Sequence, residues 1–102
     1  MNIREADESD CIFIFNWRND FDTKKMSFNN SKISYNEHCA WFKESLNNPL
    51  KLIYIGEKED NRIGVCRFDL DKNNLIAEVS ININPIFRGK GFGKDLLISS
   101  IN

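Results

Sequence analysis

Ala77, Val79, Ile81 and Ile83 alternate strictly with Glu78, Ser80, Asn82 and Asn84. A period of two places one set on each face of a strand, so this run predicts a strand over 75–84 with one face on a core. Two further strands precede it, Leu52 to Glu57 and Arg62 to Leu70. The polar clusters Glu59-Asp60-Asn61 and Lys72-Asn73-Asn74 supply the turns between them. Asn2-Ile3-Arg4 reads as a short opening strand.

The period becomes helical in three places. Ser34-Tyr35-Asn36-Glu37 has the form of a capping box and Asn47-Asn48-Pro49 that of a stop. Between them His38, Trp41, Phe42 and Leu46 fall on one stripe. Earlier, Asp7 is placed to cap a helix running from Cys11 to about Asn19, with Glu8 and Asp10 in its first turn. Ile12, Phe13, Ile14, Phe15 and Trp17 make that helix apolar nearly all round, which predicts burial on every side. Residues 20–32 have no clear period and read as a loop or an irregular helix. The last helix opens at Lys94-Asp95-Leu96-Leu97-Ile98. The order β-α-α-β-β-β-α, with hairpin connections, predicts a single α+β domain over 1–102, built on a largely antiparallel sheet.

Composition narrows the function classes. The 102 residues suffice for one domain with a sizeable core. A net charge of −1 makes no electrostatic case for nucleic acid or an anionic membrane. No apolar run reaches the ~18 residues of a membrane span and no signal-peptide core opens the chain, so cytoplasmic residence is expected. Cys11, Cys39 and Cys66 are widely spaced among apolar neighbours and read as free thiols, with neither a disulfide nor a metal site implied.

The candidate chemistry lies between the alternating strand, which Pro85 ends, and the last helix, at Arg88-Gly89-Lys90-Gly91-Phe92-Gly93. A strand that restarts as a helix after such a turn leaves several backbone N–H groups without intrahelical acceptors, at the positive end of the helix dipole. The glycines admit a bulky anion to the main chain, and Arg88, Lys90 and Lys94 add positive charge. A pyrophosphate cradle is therefore expected; the alternative is a glycine-rich surface turn with no ligand. The spacing excludes two common cradles. A Walker A loop needs four residues between its glycines and a hydroxyl after the lysine, whereas Asp95 follows Lys94. The dinucleotide fingerprint places its third glycine one position later than Gly93.

Arg88, Gly91 and Gly93 do match Gln/Arg-x-x-Gly-x-Gly/Ala, directly after a strand and before a helix. This resembles the acetyl-coenzyme A loop of the GNAT superfamily of N-acetyltransferases, and the run from Ala77 to Arg88 is similar to that family's fourth strand and loop. The resemblance extends over the whole chain. It implies a GNAT-like core, a largely antiparallel mixed sheet with flanking helices, lacking the usual C-terminal strands and helix. A naturally short protein, a shortened one, and a homodimer that exchanges C-terminal elements all fit that pattern. Acetyl-CoA is implied as co-substrate, held by Arg88, Gly89, Lys90, Gly91, Phe92, Gly93 and Lys94, with main-chain groups of Ile81, Asn82 and Ile83 pairing with pantetheine and the thioester oxygen.

The same resemblance suggests Glu78 as general base, its pKa raised in a partly enclosed cleft; the alternative is a solvated surface carboxylate. Asn16-Trp17-Arg18-Asn19 and Glu37-His38 with Trp41-Phe42 resemble the first two helices of one GNAT subgroup. That subgroup acetylates ribosomal-protein N-termini and amino-sugar nucleotides. Trp17, Arg18 and His38 are thereby implied to wall the acceptor pocket, against the alternative of a packed, hydrogen-bonded histidine and core tryptophans. The implied activity is acetyl transfer to a primary amine of a small molecule such as an amino sugar. A protein N-terminal acetyltransferase and a non-catalytic coenzyme A-binding domain stay open.

Overall fold

The structure, a computed structural model, describes residues 1–19, 34–71 and 77–101. The loop or irregular helix expected at 20–32, the turn at 72–74 and the start of the strand expected from Leu75 lie outside the described residues. One sheet contains β1 (Asn2–Glu5), β2 (Lys51–Lys58), β3 (Asn61–Leu70) and β4 (Ala77–Ile83) in that spatial order, and every neighbouring pair is antiparallel. The described helices are α1 (Cys11–Arg18), α2 (Tyr35–Leu46) and α3 (Phe92–Ile101).

Local chemistry sets the element ends. Ser34 Oγ accepts from the Glu37 N–H at 3.1 Å and starts α2, while Asn47 Nδ2 donates to the Lys43 carbonyl at 3.0 Å and closes it. Asp7 caps a 3-10 turn, Glu8–Asp10, that leads into α1. Glu59 and Asp60 both take positive φ, 52° and 65°, so a two-residue turn joins β2 to β3 with Lys58 opposite Asn61. Paired positive φ angles match the right-handed twist of a hairpin.

Register assigns the faces of the sheet. Cross-strand partners share a face, so Ile53 lies with Arg67 and Ser80, and Ile55 with Val65 and Asn82. On this face α1 and α2 pack, with Ile14, Trp17, Phe42, Ile53, Ile55 and Val65 as the core. The opposite face carries Gly56, Gly64, Cys66, Phe68, Val79, Ile81 and Ile83. There α3 lies over the sheet, its Leu96 Cδ1 2.6 Å from where a Cβ on Gly56 would be.

Two expectations change. The apolar face of β4 is only half covered, with Val79 44% and Ile81 38% exposed. Ten helical residues extend about 15 Å, and α3 is the described helix on that face, so it shields part of the sheet. Similarly, α1 is not buried all round. Ile14 and Trp17 face the core, but Ile12 (43%) and Phe13 (38%) are exposed, because an eight-residue helix beside a sheet buries one stripe. Phe13 instead stacks under Arg62, whose guanidinium carbon is 4.0 Å from the ring centre.

Asp10 ties three segments together. Its fully buried carboxylate accepts from Arg4 Nη1 at 2.8 Å and Nη2 at 2.7 Å, from Arg62 Nε at 2.8 Å, and from the Asp7 N–H at 2.9 Å. Arg4 belongs to β1 and Arg62 to β3, so one carboxylate joins two non-adjacent strands to the turn before α1. Burial alone would raise the Asp10 pKa; the bonds from Arg4 and Arg62 outweigh it and hold the carboxyl below its usual range.

Candidate functional site

The junction between β4 and α3 is anchored by Asn84. Its N–H donates to the Ile63 carbonyl at 2.8 Å, its Nδ2 to the Arg62 carbonyl at 3.0 Å, and its Oδ1 accepts from the Ile86 N–H at 3.3 Å. Pro85–Phe87 then forms a 3-10 turn. The rings of Phe87 and Phe92 meet edge to face at 5.9 Å, bracketing the glycine loop between them. Inside the bracket Gly89 and Gly91 take φ of +80° and +78°, a conformation other residues rarely hold. A Cβ placed on Gly89, Gly91 or Gly93 would meet nothing within 4 Å. The main chain is therefore open to a bulky group where the first-turn N–H donors of α3 lack intrahelical partners. This geometry fits the diphosphate expected from the sequence.

The surrounding charges differ in part from expectation. Lys90 and Lys94 are exposed around the loop. Arg88 folds back on β4: its Nε donates to the Ile83 carbonyl and its Nη2 to Asn82 Oδ1, both at 3.1 Å. Its side chain thus ties loop to strand. Lys58, at the end of β2, brings its ammonium to 5.4 Å from the Phe92 ring centre. No local motif marks Lys58; only the β2–β3 hairpin carries it there.

The edge of β4 follows from the ladder. Asn84 N–H bonds the Ile63 carbonyl, and paired residues of an antiparallel ladder alternate between bonded and non-bonded pairs. Asn82, Ser80 and Glu78 therefore direct main-chain groups to β3, while Val79, Ile81 and Ile83 direct theirs outward. Of the three residues implied to pair with pantetheine, Ile81 and Ile83 have the required orientation. Asn82 does not, because its N–H and C=O belong to the Val65 pair; its side chain holds Arg88 instead. Glu78 stands opposite Asp69 on the polar face and is exposed. The enclosed cleft expected around it is open among the described residues.

The residues implied for the acceptor side separate. Trp17 is core. His38 is buried between α1 and α2, with Nε2 3.0 Å from the Cys11 carbonyl and Nδ1 3.2 Å from Arg18 Nη1. A guanidinium only donates and a carbonyl only accepts, so the ring is neutral with its proton on Nε2. Burial pushes the His38 pKa down and the Arg18 charge adds to this, against the bond to Cys11. His38 thus orients Arg18. The unfolded chain binds this proton up to about pH 6.5, whereas the folded chain resists it until a lower pH. Stability should be full above about pH 6.5 and fall as pH drops below it. Denaturant titrations at pH 7.5 and 5.5 should show the loss in the wild type and a smaller one in His38→Gln. Beside this ring, Cys11 and Cys39 are free thiols with sulfurs 3.4 Å apart, and burial pushes Cys11 up to about 11.

Arg18 lies over Trp41, its guanidinium carbon 4.6 Å from the ring centre. Arg67 of β3 approaches the same ring at 5.2 Å and bonds Asp69 through Nε at 3.0 Å. Sequence reading missed Arg67, which only strand register places beside α2. Among the described residues no helix is long and apolar enough to cross a membrane, and no cluster of three His, Cys, Asp or Glu could hold a metal ion.

A four-stranded antiparallel sheet whose fourth strand runs through a glycine loop into a helix places the fold in the α+β class. The chain belongs to the acetyltransferase (GNAT) family, whose model matches residues 11–101. Solved structures share the fold. Spermidine N-acetyltransferase from Vibrio cholerae, in complex with CoA and spermine, superposes with a TM-score of 0.81 at 22% identity, over 94% of this chain and 58% of that one. An N-acetyltransferase from Staphylococcus aureus Mu50 gives 0.78 at 24% identity, over 98% and 63%. A putative acetyltransferase from Salmonella typhimurium, solved with acetyl-CoA, gives 0.72 at 24%, over 95% and 58%. The chain thus spans about three-fifths of the length of these structures. No curated protein matches it significantly.

Proposed function

We propose that the protein transfers an acetyl group from acetyl-CoA to a primary amine of a small molecule such as an amino sugar. The observation that carries this reading is the open main chain at Gly89, Gly91 and Gly93, set between the outward-facing edge of β4 and the start of α3. Acetyl-CoA, when bound, supplies the acyl group as an activated thioester. Loop amides and the first turn of α3 would hold its diphosphate, with Lys58, Lys90 and Lys94 adding charge. Main-chain groups of Ile81 and the N–H of Ile83, whose carbonyl Arg88 holds, would pair with an extended amide chain as a further strand does, and an outward N–H there can polarise a carbonyl. Glu78, exposed on the polar face of the same strand, is the carboxylate to receive the acceptor's proton through water.

Two measurements test the proposal. Coenzyme A should raise the melting temperature, since a ligand of the folded state alone stabilises it by about 2.7 kcal/mol at a hundred times its Kd. Acetyl-CoA with a primary amine should release free thiol. A shift without thiol release from any amine would support a coenzyme A-binding domain instead, and no shift would remove both readings. Glu78→Gln should lower kcat about a hundredfold and leave the coenzyme A shift intact; unchanged turnover retires Glu78 as the base.

A further inference from the structure

We infer that the acceptor carries an acidic group, a carboxylate or a phosphate, received by Arg18 and Arg67 beside Trp41; this rests on acetyl transfer at the β4 edge. Arg18, in the last turn of α1, is half-buried. Among the described residues its contacts are the neutral His38 ring and the Trp41 face, and no carboxylate lies within ion-pair distance of it. Arg67 bonds Asp69, yet its Nη2 reaches on to within 3.5 Å of Ser80 Oγ on the polar face of β4. Lys51 adds a third cation, its ammonium 6.0 Å from the same ring centre. The facing carboxylates are Asp69, bonded to Arg67, and Glu78 opposite it.

Taking a cation partly out of water beside a second cation is costly unless an anion completes the set. Burial and the Arg67 charge accordingly push the Arg18 pKa down. A guanidinium fork matches the paired oxygens of a carboxylate or phosphate, and an indole face holds its plane in place. Strand geometry gives the reach. Ser80, which Arg67 approaches, is the neighbour of Ile81 along β4, one residue or roughly 3.3 Å away. The fitting acceptor is therefore a small amine that also carries the acidic group. A polycation such as the spermine bound in the Vibrio cholerae structure would meet three like charges here.

The test is a thermal-shift and thiol-release series. Coenzyme A is titrated first, which judges the acetyl-transfer reading alone, and is then kept saturating so that phosphate groups cannot occupy the loop. Glucosamine 6-phosphate, glutamate, glucosamine and spermidine are added in turn; the first two separate phosphate from carboxylate. At least one acidic amine should raise the melting temperature and have a kcat/KM at least tenfold above glucosamine and spermidine. Arg18→Gln and Arg67→Gln should each raise its KM about tenfold, with kcat within twofold and the coenzyme A shift retained. A preference for spermidine or for glucosamine, which lacks an acidic group, or an acid effect that survives both substitutions, overturns the inference. If coenzyme A does not bind, an acid-induced shift abolished by Arg18→Gln keeps the anion site, and its absence removes it.

Discussion

Replacing Asp10 by alanine should lower the melting temperature by roughly 12–24 °C. Removing one partner of a buried ion pair costs about 3–5 kcal/mol, and each kcal/mol moves a domain of this size by about 4–8 °C. The lower end of the energy range applies because Arg4 and Arg62 keep 30% and 26% of their side-chain surface in water and can rehydrate. The loss arises because the carboxylate holds β1, β3 and the turn before α1 at once. Asp10→Asn should be milder at neutral pH and should also weaken the acid limb of stability. A carboxyl held below its usual range stabilises the fold above the unfolded pKa of about 3.9, and that contribution disappears as pH falls through the lowered folded value. Calorimetry of wild type and both variants between pH 2.5 and 7 measures this; a change under about 4 °C for Asp10→Ala would mean that the strands hold register without it.

Gly93→Glu should eliminate the coenzyme A shift while leaving the fold intact. Gly91 is the poorer probe, since its φ of +78° would strain any other residue. Gly93 lies inside α3 with open space around an added Cβ. There glutamate has better helix propensity than glycine by up to about 1 kcal/mol and complements the helix dipole. The same carboxylate would stand against a diphosphate at the shared donors. The variant should melt at or above the wild-type temperature without ligand and show a Kd for coenzyme A raised at least a hundredfold. A retained shift would move the cofactor site off this loop.

The elements that could be read from the sequence carry their own local chemistry. The Ser34 cap, the Asn47 stop and the alternation from Ala77 to Ile83 each encode a boundary or a period, and the folded chain uses them. Coverage is another matter. Val79 and Ile81 alternate correctly, but how much of their face is shielded depends on where α3 lands. Side-chain partnerships between distant segments were equally illegible. Arg88 looks like a phosphate ligand beside its glycines, and its bonds to Ile83 and Asn82 have no mark in the sequence. Arg67 and Lys58 have no motif, and strand pairing alone brings them to Trp41 and Phe92. His38 reads equally as a pocket wall or a packed ring, and only the fold brings it to the Cys11 carbonyl and Arg18.

The outward-facing main chain of Val79, Ile81 and Ile83 also bears on behaviour in concentrated solution. Among the described residues this margin pairs with no further strand, though Arg88 holds the Ile83 carbonyl, and beside the exposed Val79 and Ile81 side chains it is a template for another chain's strand. Coenzyme A that occupies it would act as a chaperone of solubility, so precipitation on concentrating the protein should recede when the compound is present.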